Sequence, residues 1–193
     1  ASITNATTLV RGNVALTGGG TLSVSQSGAG SQSGGTSISG TGGLTKAGAG
    51  VLTLSQANTY TGTTTVNAGT LAVSGGNAIA DTGTVVLANA AGVALNLTAS
   101  ETIGSLAGGG AAGGNVTKGT AGAATLTTGR NGDSTTFGGV IQNGSGTVGL
   151  VKEGTGAFTL TNSNTYTGTA GVSGGTLALA GTAGSATGSN LTV

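Results

Sequence analysis

Residues 42–75 read GGLTKAGAGVLTLSQANTYTGTTTVNAGTLAVSG, and residues 148–181 repeat this stretch in slightly altered form as VGLVKEGTGAFTLTNSNTYTGTAGVSGGTLALAG. The two copies begin 106 positions apart, at residues 42 and 148. Self-similarity over such a length is the signature of a repeat protein, in which stacked copies of one unit build the fold. The repeat therefore decides the architecture in which the other residues are placed.

The two copies share several residues that we predict to have structural roles within the repeat. They are the pairs Lys46 and Lys152, Asn58 and Asn164, Tyr60 and Tyr166, and Gly62 and Gly168. Because each residue stands at the same place in both copies, packing or corner formation is favoured over ligand binding. The tyrosines are accordingly interpreted as packing elements rather than as platforms for stacking a glycan. The lysines are interpreted as gatekeeper charges beside an apolar strand.

The composition favours short strands over helices. Glycine occupies 43 positions, charged residues make up 5% of the chain, and proline, cysteine and histidine are absent. Apolar runs are three to five residues long, are bounded by Gly or Asn, and lack helical periodicity. In residues 51–54 the apolar Leu52 and Leu54 flank Thr53, so one side of the strand can enter a core while the other faces water.

Strands and corners that recur about every 20 residues predict an all-β chain, folded as a parallel β-helix, also called a β-solenoid. At that spacing the chain forms about nine or ten coils in a single domain, residues 1–193, and the two copies lie about five coils apart. Residues 108–119, rich in glycine, are interpreted as a loose coil or a loop. A β-sandwich is the rival fold, but two tyrosines and two phenylalanines offer few aromatic side chains for its core.

The charged and reactive residues exclude several kinds of site. A formal net charge of +1, without a basic stripe, argues against nucleic acid as a partner. Without histidine or cysteine, neither a Ser-His triad nor a thiolate metal site can form, so we expect no metal and no cofactor. Only Asp133 and Glu153 lie one nominal coil apart, where Arg130 and Lys152 could join them. We interpret this group as a solvated charge cluster rather than as the carboxylate pair of a glycosidase.

The repeat carries a family resemblance. Residues 43–71 contain Gly-Leu-Thr-Lys-x-Gly-x-Gly-x-Leu-Thr-Leu-x-x-x-Asn-Thr-Tyr-Thr-Gly-x-Thr-x-Val-x-x-Gly-Thr-Leu, which resembles the passenger-associated β-strand repeat of bacterial autotransporters. The second copy matches with small departures, such as Phe158 in place of Leu52. The resemblance covers roughly a third of the chain directly and involves a long, position-specific motif.

The resemblance implies a right-handed β-helix in a secreted passenger, which a C-terminal outer-membrane β-barrel translocator of the parent protein moves to the bacterial cell surface. The family also implicates the repeat in secretion and folding of the passenger. Because neither a signal peptide nor a translocator barrel is present in the sequence, we expect a passenger fragment.

Three functions follow from these observations. The first is a non-catalytic extracellular passenger segment that acts as an adhesin or stalk, with a glycan or protein of a host or bacterial surface as partner. The second is an extracellular fibre subunit that associates with itself through open β-edges or a lateral face. The third, a polysaccharide-acting β-helix enzyme, requires a groove of clustered carboxylates that the few acidic residues hardly permit.

Overall fold

A computed structural model describes residues 2–4, 12–32, 34–180, 185–186 and 191–192. In chain order, its strands are β1 (Ser2–Thr4), β2 (Val14–Leu16), β3 (Leu22–Ser25), β4 (Ala29–Ser31), β5 (Ile38–Gly40), β6 (Leu44–Ala47), β7 (Val51–Leu54), β8 (Thr59–Tyr60), β9 (Thr64–Val66), β10 (Thr70–Val73), β11 (Thr84–Leu87), β12 (Ala94–Leu97), β13 (Glu101–Ile103), β14 (Ser105–Gly108), β15 (Asn115–Thr117), β16 (Ala123–Thr128), β17 (Thr135–Phe137), β18 (Thr147–Lys152), β19 (Ala157–Leu160), β20 (Ser163–Asn164), β21 (Ala170–Val172), β22 (Thr176–Leu179), β23 (Ser185–Ala186) and β24 (Leu191–Thr192). Among these described residues, no helix is long and apolar enough to cross a membrane.

The strands form three faces that run along a rod. Face A is one sheet of nine strands, in the order β1-β3-β6-β9-β11-β14-β17-β19-β22. Face B holds β4, β7, β10, β12 and β15, and continues through the parallel bridges Val116–Ile141 and Gln142–Thr165 to β20 and β23. Face C holds β2, β5 and β8, followed by β13, β16, β18, β21 and β24.

The chain visits the faces in a fixed order and pairs with itself one turn later. It passes from β6 on face A to β7 on face B and β8 on face C, and then returns to face A as β9. Thr45 is in parallel register with Thr65, 20 residues on. Parallel pairing of this kind repeats between the strands of each sheet, so the predicted parallel β-solenoid is confirmed.

The solenoid has about eight turns, fewer than the nine or ten predicted. The difference arises because some turns are longer than 20 residues. The longest on face A separates Gly108 from its register partner Phe137, 29 residues on. At the usual strand spacing, eight turns make a rod roughly 40 Å long.

Residues 108–119 form a rung of the solenoid. Val116 in β15 is buried and in register with Leu95 of β12. Just before β15 the backbones of Gly110 and Gly113 exchange hydrogen bonds of 2.9 and 3.2 Å. Of the two sequence-based interpretations, the structure therefore has a rung, with a tight turn that lengthens the coil.

The core consists of aliphatic columns that follow the pairing register. On face A, Leu22, Leu44, Thr64, Val85 and Leu106 stack from turn to turn, and all are buried. Each fully buried leucine or valine contributes roughly 1.5–3 kcal/mol of transfer free energy. The columns hold successive turns together without a large aromatic core.

The two copies of the repeat lie on different faces. Leu44 is in β6 on face A, whereas its counterpart Leu150 is in β18 on face C. From β6 the chain makes four turns to β17 on face A, and then passes two faces further to β18. The copies are therefore four turns and two faces apart instead of about five whole coils. The corner lengths between strands, which the strand pattern does not reveal, cause this offset.

Candidate functional site

The first lysine of the repeat points into the rod. Lys46 lies on the same side of β6 as Leu44 and is fully buried. Its Nζ donates to the carbonyl oxygens of Ala47 (2.9 Å), Gly48 (2.7 Å) and Ala68 (3.0 Å). The first two belong to its own corner and the third to the corner one turn later. We call Lys46 with these three carbonyl groups the first lysine clasp.

The second copy reproduces this arrangement on another face. Lys152 is fully buried, and its Nζ donates to the carbonyl oxygens of Glu153, Gly154 (3.0 Å) and Gly174 (3.3 Å). These groups form the second lysine clasp. Burial lowers the pKa of both clasp lysines, and the nearby charge of Glu153 partly opposes this effect at Lys152. Each ammonium group thus joins two consecutive turns through main-chain carbonyls.

The position of these lysines differs from the gatekeeper interpretation, which placed them as charges beside an apolar strand. A signal for burial was present, because Lys46 and Leu44 have the same parity in the strand, as do Lys152 and Leu150. The same signal identifies two buried ionisable residues outside the repeats, Lys118 and Glu101, which sequence reasoning did not single out. Lys118 Nζ donates to the carbonyl oxygen of Thr98 at 3.1 Å.

Asn58 connects three turns. Its Oδ1 accepts hydrogen bonds from the backbone N–H of Ile38 (2.8 Å) and from Gln32 Nε2 (2.7 Å). Its Nδ2 donates to the carbonyl oxygens of Gln56 (3.1 Å) and Ala78 (2.7 Å). Ile38 lies one turn before Asn58 and Ala78 one turn after it. A single buried amide thereby satisfies main-chain groups of its own corner and of both neighbouring turns.

Asn164 repeats part of this pattern on face B. Its Oδ1 accepts from the backbone N–H of Ile141 at 2.8 Å, and its Nδ2 donates to the carbonyl oxygen of Asn162 at 2.8 Å. In both copies the amide oxygen caps an isoleucine N–H of the preceding turn. In both, the amide nitrogen binds the carbonyl two residues earlier.

The tyrosines of the repeat are buried in the rod. Tyr60 and Tyr166 have no exposed surface. The hydroxyl oxygen of Tyr60 lies 2.6 Å from Thr64 Oγ1. Burial raises the pKa of Tyr60 above its ordinary value of 10, although the Thr64 hydrogen bond opposes this effect. The position of Thr64 is taken by Ala170 in the second copy.

Thr64→Val tests the bond to Tyr60. The substitution keeps the shape of the side chain but removes the hydroxyl group, so we expect the free energy of unfolding to fall by about 1–2 kcal/mol. Equilibrium denaturation in urea, followed by circular dichroism, measures the change. In a Tyr60→Phe background the same substitution should cost much less, and an equal cost in both backgrounds would contradict the bond.

The glycines of the repeat allow adjacent turns to approach closely. Gly62 N donates to Gly42 O at 3.1 Å, and Gly168 N donates to Val148 O at 2.9 Å. A Cβ atom on Gly62 would lie 2.5 Å from the carbonyl carbon and oxygen of Gly42, and one on Gly168 would lie 2.5 Å from Val148 O. Since the nearest atoms are backbone, a side chain at either position requires one turn to move.

A charged cluster lies on the outside of the rod. Arg130 donates from Nε to Glu153 Oε2 at 3.0 Å and from its terminal nitrogen to Asp81 Oδ2. Asn131 Nδ2 holds the carboxylate of Asp133 at 2.8 Å. Of the four residues that sequence reasoning grouped, Lys152 does not join, since its Nζ lies in the second lysine clasp. Within the described residues, no group of three or more His, Cys, Asp or Glu side chains is placed to hold a metal ion.

These features define a class: a β-solenoid whose repeated sequence is used inside the rod to fasten consecutive turns. Residues 44–73 and 150–179 each match the family model described as Passenger-associated-transport-repeat. The chain thus carries two passenger-associated transport repeats, which confirms the resemblance seen in its sequence. Comparisons with curated proteins and with solved structures return no significant match. The repeats and the solenoid fit a segment of an autotransporter passenger, a secreted and surface-exposed part of a protein with an outer-membrane translocator.

Proposed function

We propose that this chain is a non-catalytic passenger segment that works at the bacterial cell surface as an adhesin or stalk. One observation carries the proposal: the lysine, asparagine and tyrosine side chains that the two repeats share are all buried. They bind main-chain groups or pack in the core, and so are not available to a ligand. We assign to all eight shared residues, including Gly62 and Gly168, the role of fastening turns. The contacts with other molecules are then made by the outer faces.

The outer side of face A supports this role. Ser23, Thr45, Thr65 and Val86 occupy one outward row in parallel register. Such a row of small, uncharged side chains gives a smooth surface with hydroxyl groups for hydrogen bonding. The regular stack of turns behind it provides the rigidity that a stalk requires. A glycan or protein of a neighbouring cell surface is the partner that this surface would meet.

Surface display tests the proposal. The chain is placed between a signal peptide and an autotransporter barrel, and display is measured with an antibody and by protease treatment of intact cells. We expect a protease-resistant chain at the surface, and more aggregation or surface attachment than with the barrel alone. The variant Thr45→Lys/Thr65→Lys should be displayed equally but attach less if face A makes the contact. Hydrolysis of a polysaccharide that is lost in Asp133→Ala or Glu153→Ala would overturn the proposal.

End-to-end association is a second candidate function, favoured by the state of the last described strand of face A. Leu179 is in register with the buried Leu160, yet it is 48% exposed. Apolar residues at an open strand edge favour pairing with another chain. Electron microscopy of the purified chain distinguishes the two functions. Filaments that Leu179→Lys abolishes would support a fibre, whereas uniform single rods at high concentration would contradict it.

A further inference from the structure

Glu101 is a carboxyl group buried in the wall of the rod. Only 2% of the residue is exposed, because it points inward at the start of β13 on face C. Its Oε1 accepts the backbone N–H of Ile79, one turn earlier, at 2.7 Å. Its Oε2 is also buried and has no hydrogen-bond partner among the described residues. An unpaired carboxylate oxygen in such a place carries a large desolvation cost.

Glu101 takes the place that an asparagine takes in the two repeats. The sequence Glu101-Thr102-Ile103 corresponds to Asn58-Thr59-Tyr60 and to Asn164-Thr165-Tyr166. In each triplet the first side chain caps an isoleucine N–H of the preceding turn, and the third residue is a buried apolar or aromatic one. The corner of Glu101 is therefore built to the same plan, outside the transport repeats.

The difference between the corners lies in the second polar atom of the side chain. In Asn58 and Asn164 that atom is an amide nitrogen, which donates to the carbonyl two residues earlier, in Gln56 and Asn162. In Glu101 it is Oε2. A carboxylate can only accept hydrogen bonds, whereas a protonated carboxyl group has one O–H donor. Only the protonated form of Glu101 can thus imitate the amide.

We propose that Glu101 is a proton-sensitive fastener between turns: it carries a proton in the tightly folded rod, and loss of that proton loosens the turns on either side. This device is independent of the proposed role in attachment, since it concerns the inside of the rod. It makes the middle of the solenoid respond to pH, whereas the amide corners of the two repeats do not titrate.

The ionisable groups that interact with Glu101 fit this assignment. Burial raises the pKa of Glu101 to about 7, against the opposing hydrogen bonds from the backbone of Ile79 and Ala78. The charge of Asp81 raises it further, while Arg130 binds Asp81 on its outer side. The other group coupled to Glu101 is the phenol of Tyr60, which is neutral in this pH range because its own pKa is raised.

The direction of the pH effect follows from linkage. The folded chain holds the proton at pH values where the unfolded chain, with an ordinary pKa of 4.5, has released it. The stabilisation is therefore fully present below pH 4.5 and is lost as the pH rises through about 7. The rod should be most firmly closed in weak acid and looser in weak base.

The test compares the unfolding of the natural chain and of Glu101→Gln. Between about pH 5 and about pH 8 we expect the unfolding equilibrium constant of the natural chain to rise on the order of 100-fold. Glu101→Gln supplies an amide donor and should remove most of this dependence. Glu153→Gln, which changes an exposed carboxylate, is the matched control and should retain it. Equal pH dependence in the natural chain and in Glu101→Gln would overturn the proposal.

A second measurement does not depend on the folding of a variant. The side-chain carboxyl carbon of Glu101 can be followed by nuclear magnetic resonance in the folded natural chain as the pH is changed. A midpoint near 7 supports the proposal, and a midpoint near the ordinary 4.5 overturns it.

Discussion

Gly62→Ala should lower the free energy of unfolding by about 4 kcal/mol, or prevent folding altogether. The new Cβ atom would stand 2.5 Å from the carbonyl group of Gly42, and backbone atoms cannot move aside as a flexible side chain can. Two turns would have to separate, and the hydrogen bond from Gly62 N to Gly42 O would lengthen or break. Urea denaturation followed by far-ultraviolet circular dichroism measures the loss.

Gly28→Ala is the matched control for this prediction. A Cβ atom there would meet nothing within 4 Å, and Gly28 does not have a positive φ. We expect its stability to stay within about 0.5 kcal/mol of the natural chain. Gly168→Ala, at the equivalent place on another face, should behave like Gly62→Ala. If Gly62→Ala and Gly28→Ala unfold at the same urea concentration, the turns do not approach each other as described.

Lys46→Met should have the second largest effect, a loss of about 3 kcal/mol. Methionine keeps the length and much of the volume of the side chain, so the change removes chiefly the three hydrogen bonds of the first lysine clasp. The carbonyl groups of Ala47, Gly48 and Ala68 then lose a donor in a place that water does not easily reach. This loss exceeds the gain from no longer burying a charge. Lys152→Met should have a similar effect through the second lysine clasp.

Arg130→Met is the control for loss of a positive charge. Arg130 is 42% exposed and binds carboxylates that are themselves exposed, so its ion pairs are screened by solvent. Its replacement should leave the denaturation midpoint nearly unchanged, although the net charge changes as it does in Lys46→Met. If both variants unfold alike, the lysine contributes through its charge alone and the clasp has no special role.

Much of the architecture could be predicted from short-range features of the sequence. Alternation in Val51–Leu54, glycines between short apolar runs and the Asn-Thr-Tyr corner predict strands, turns and stacking. These features are local, and each turn of a solenoid contacts chiefly the turns beside it. The parallel β-solenoid and the identity of the repeat therefore followed from the sequence alone.

The placement of the repeats on the rod could not be predicted in the same way. Whether Leu150 lies on the face of Leu44 depends on the summed lengths of all intervening corners. The turn at Gly110 and Gly113 alone changes that sum. A similar limit applies to Glu101, whose role is visible only when the isoleucine N–H of the preceding turn is seen beside it.

The burial of the lysines was within reach of the sequence, since Lys46 and Leu44 share one side of their strand. A lone lysine is nevertheless usually exposed, and only the ring of carbonyl groups from two turns makes its burial favourable. The clasp needs only two consecutive corners, not a particular face. For this reason the same repeat can lie on face A in one copy and on face C in the other.

The ionisation of Tyr60 tests the central claim most directly, namely that the shared residues of the repeat serve the inside of the rod. In a Tyr166→Phe background Tyr60 is the only tyrosine, and its phenolate absorbance can be followed as the pH is raised. Because the side chain is buried and its pKa is raised, we predict no ionisation near pH 10 while the circular dichroism of the folded chain persists. Reversible ionisation with a midpoint near 10 in the folded rod would place Tyr60 at the surface and contradict the account.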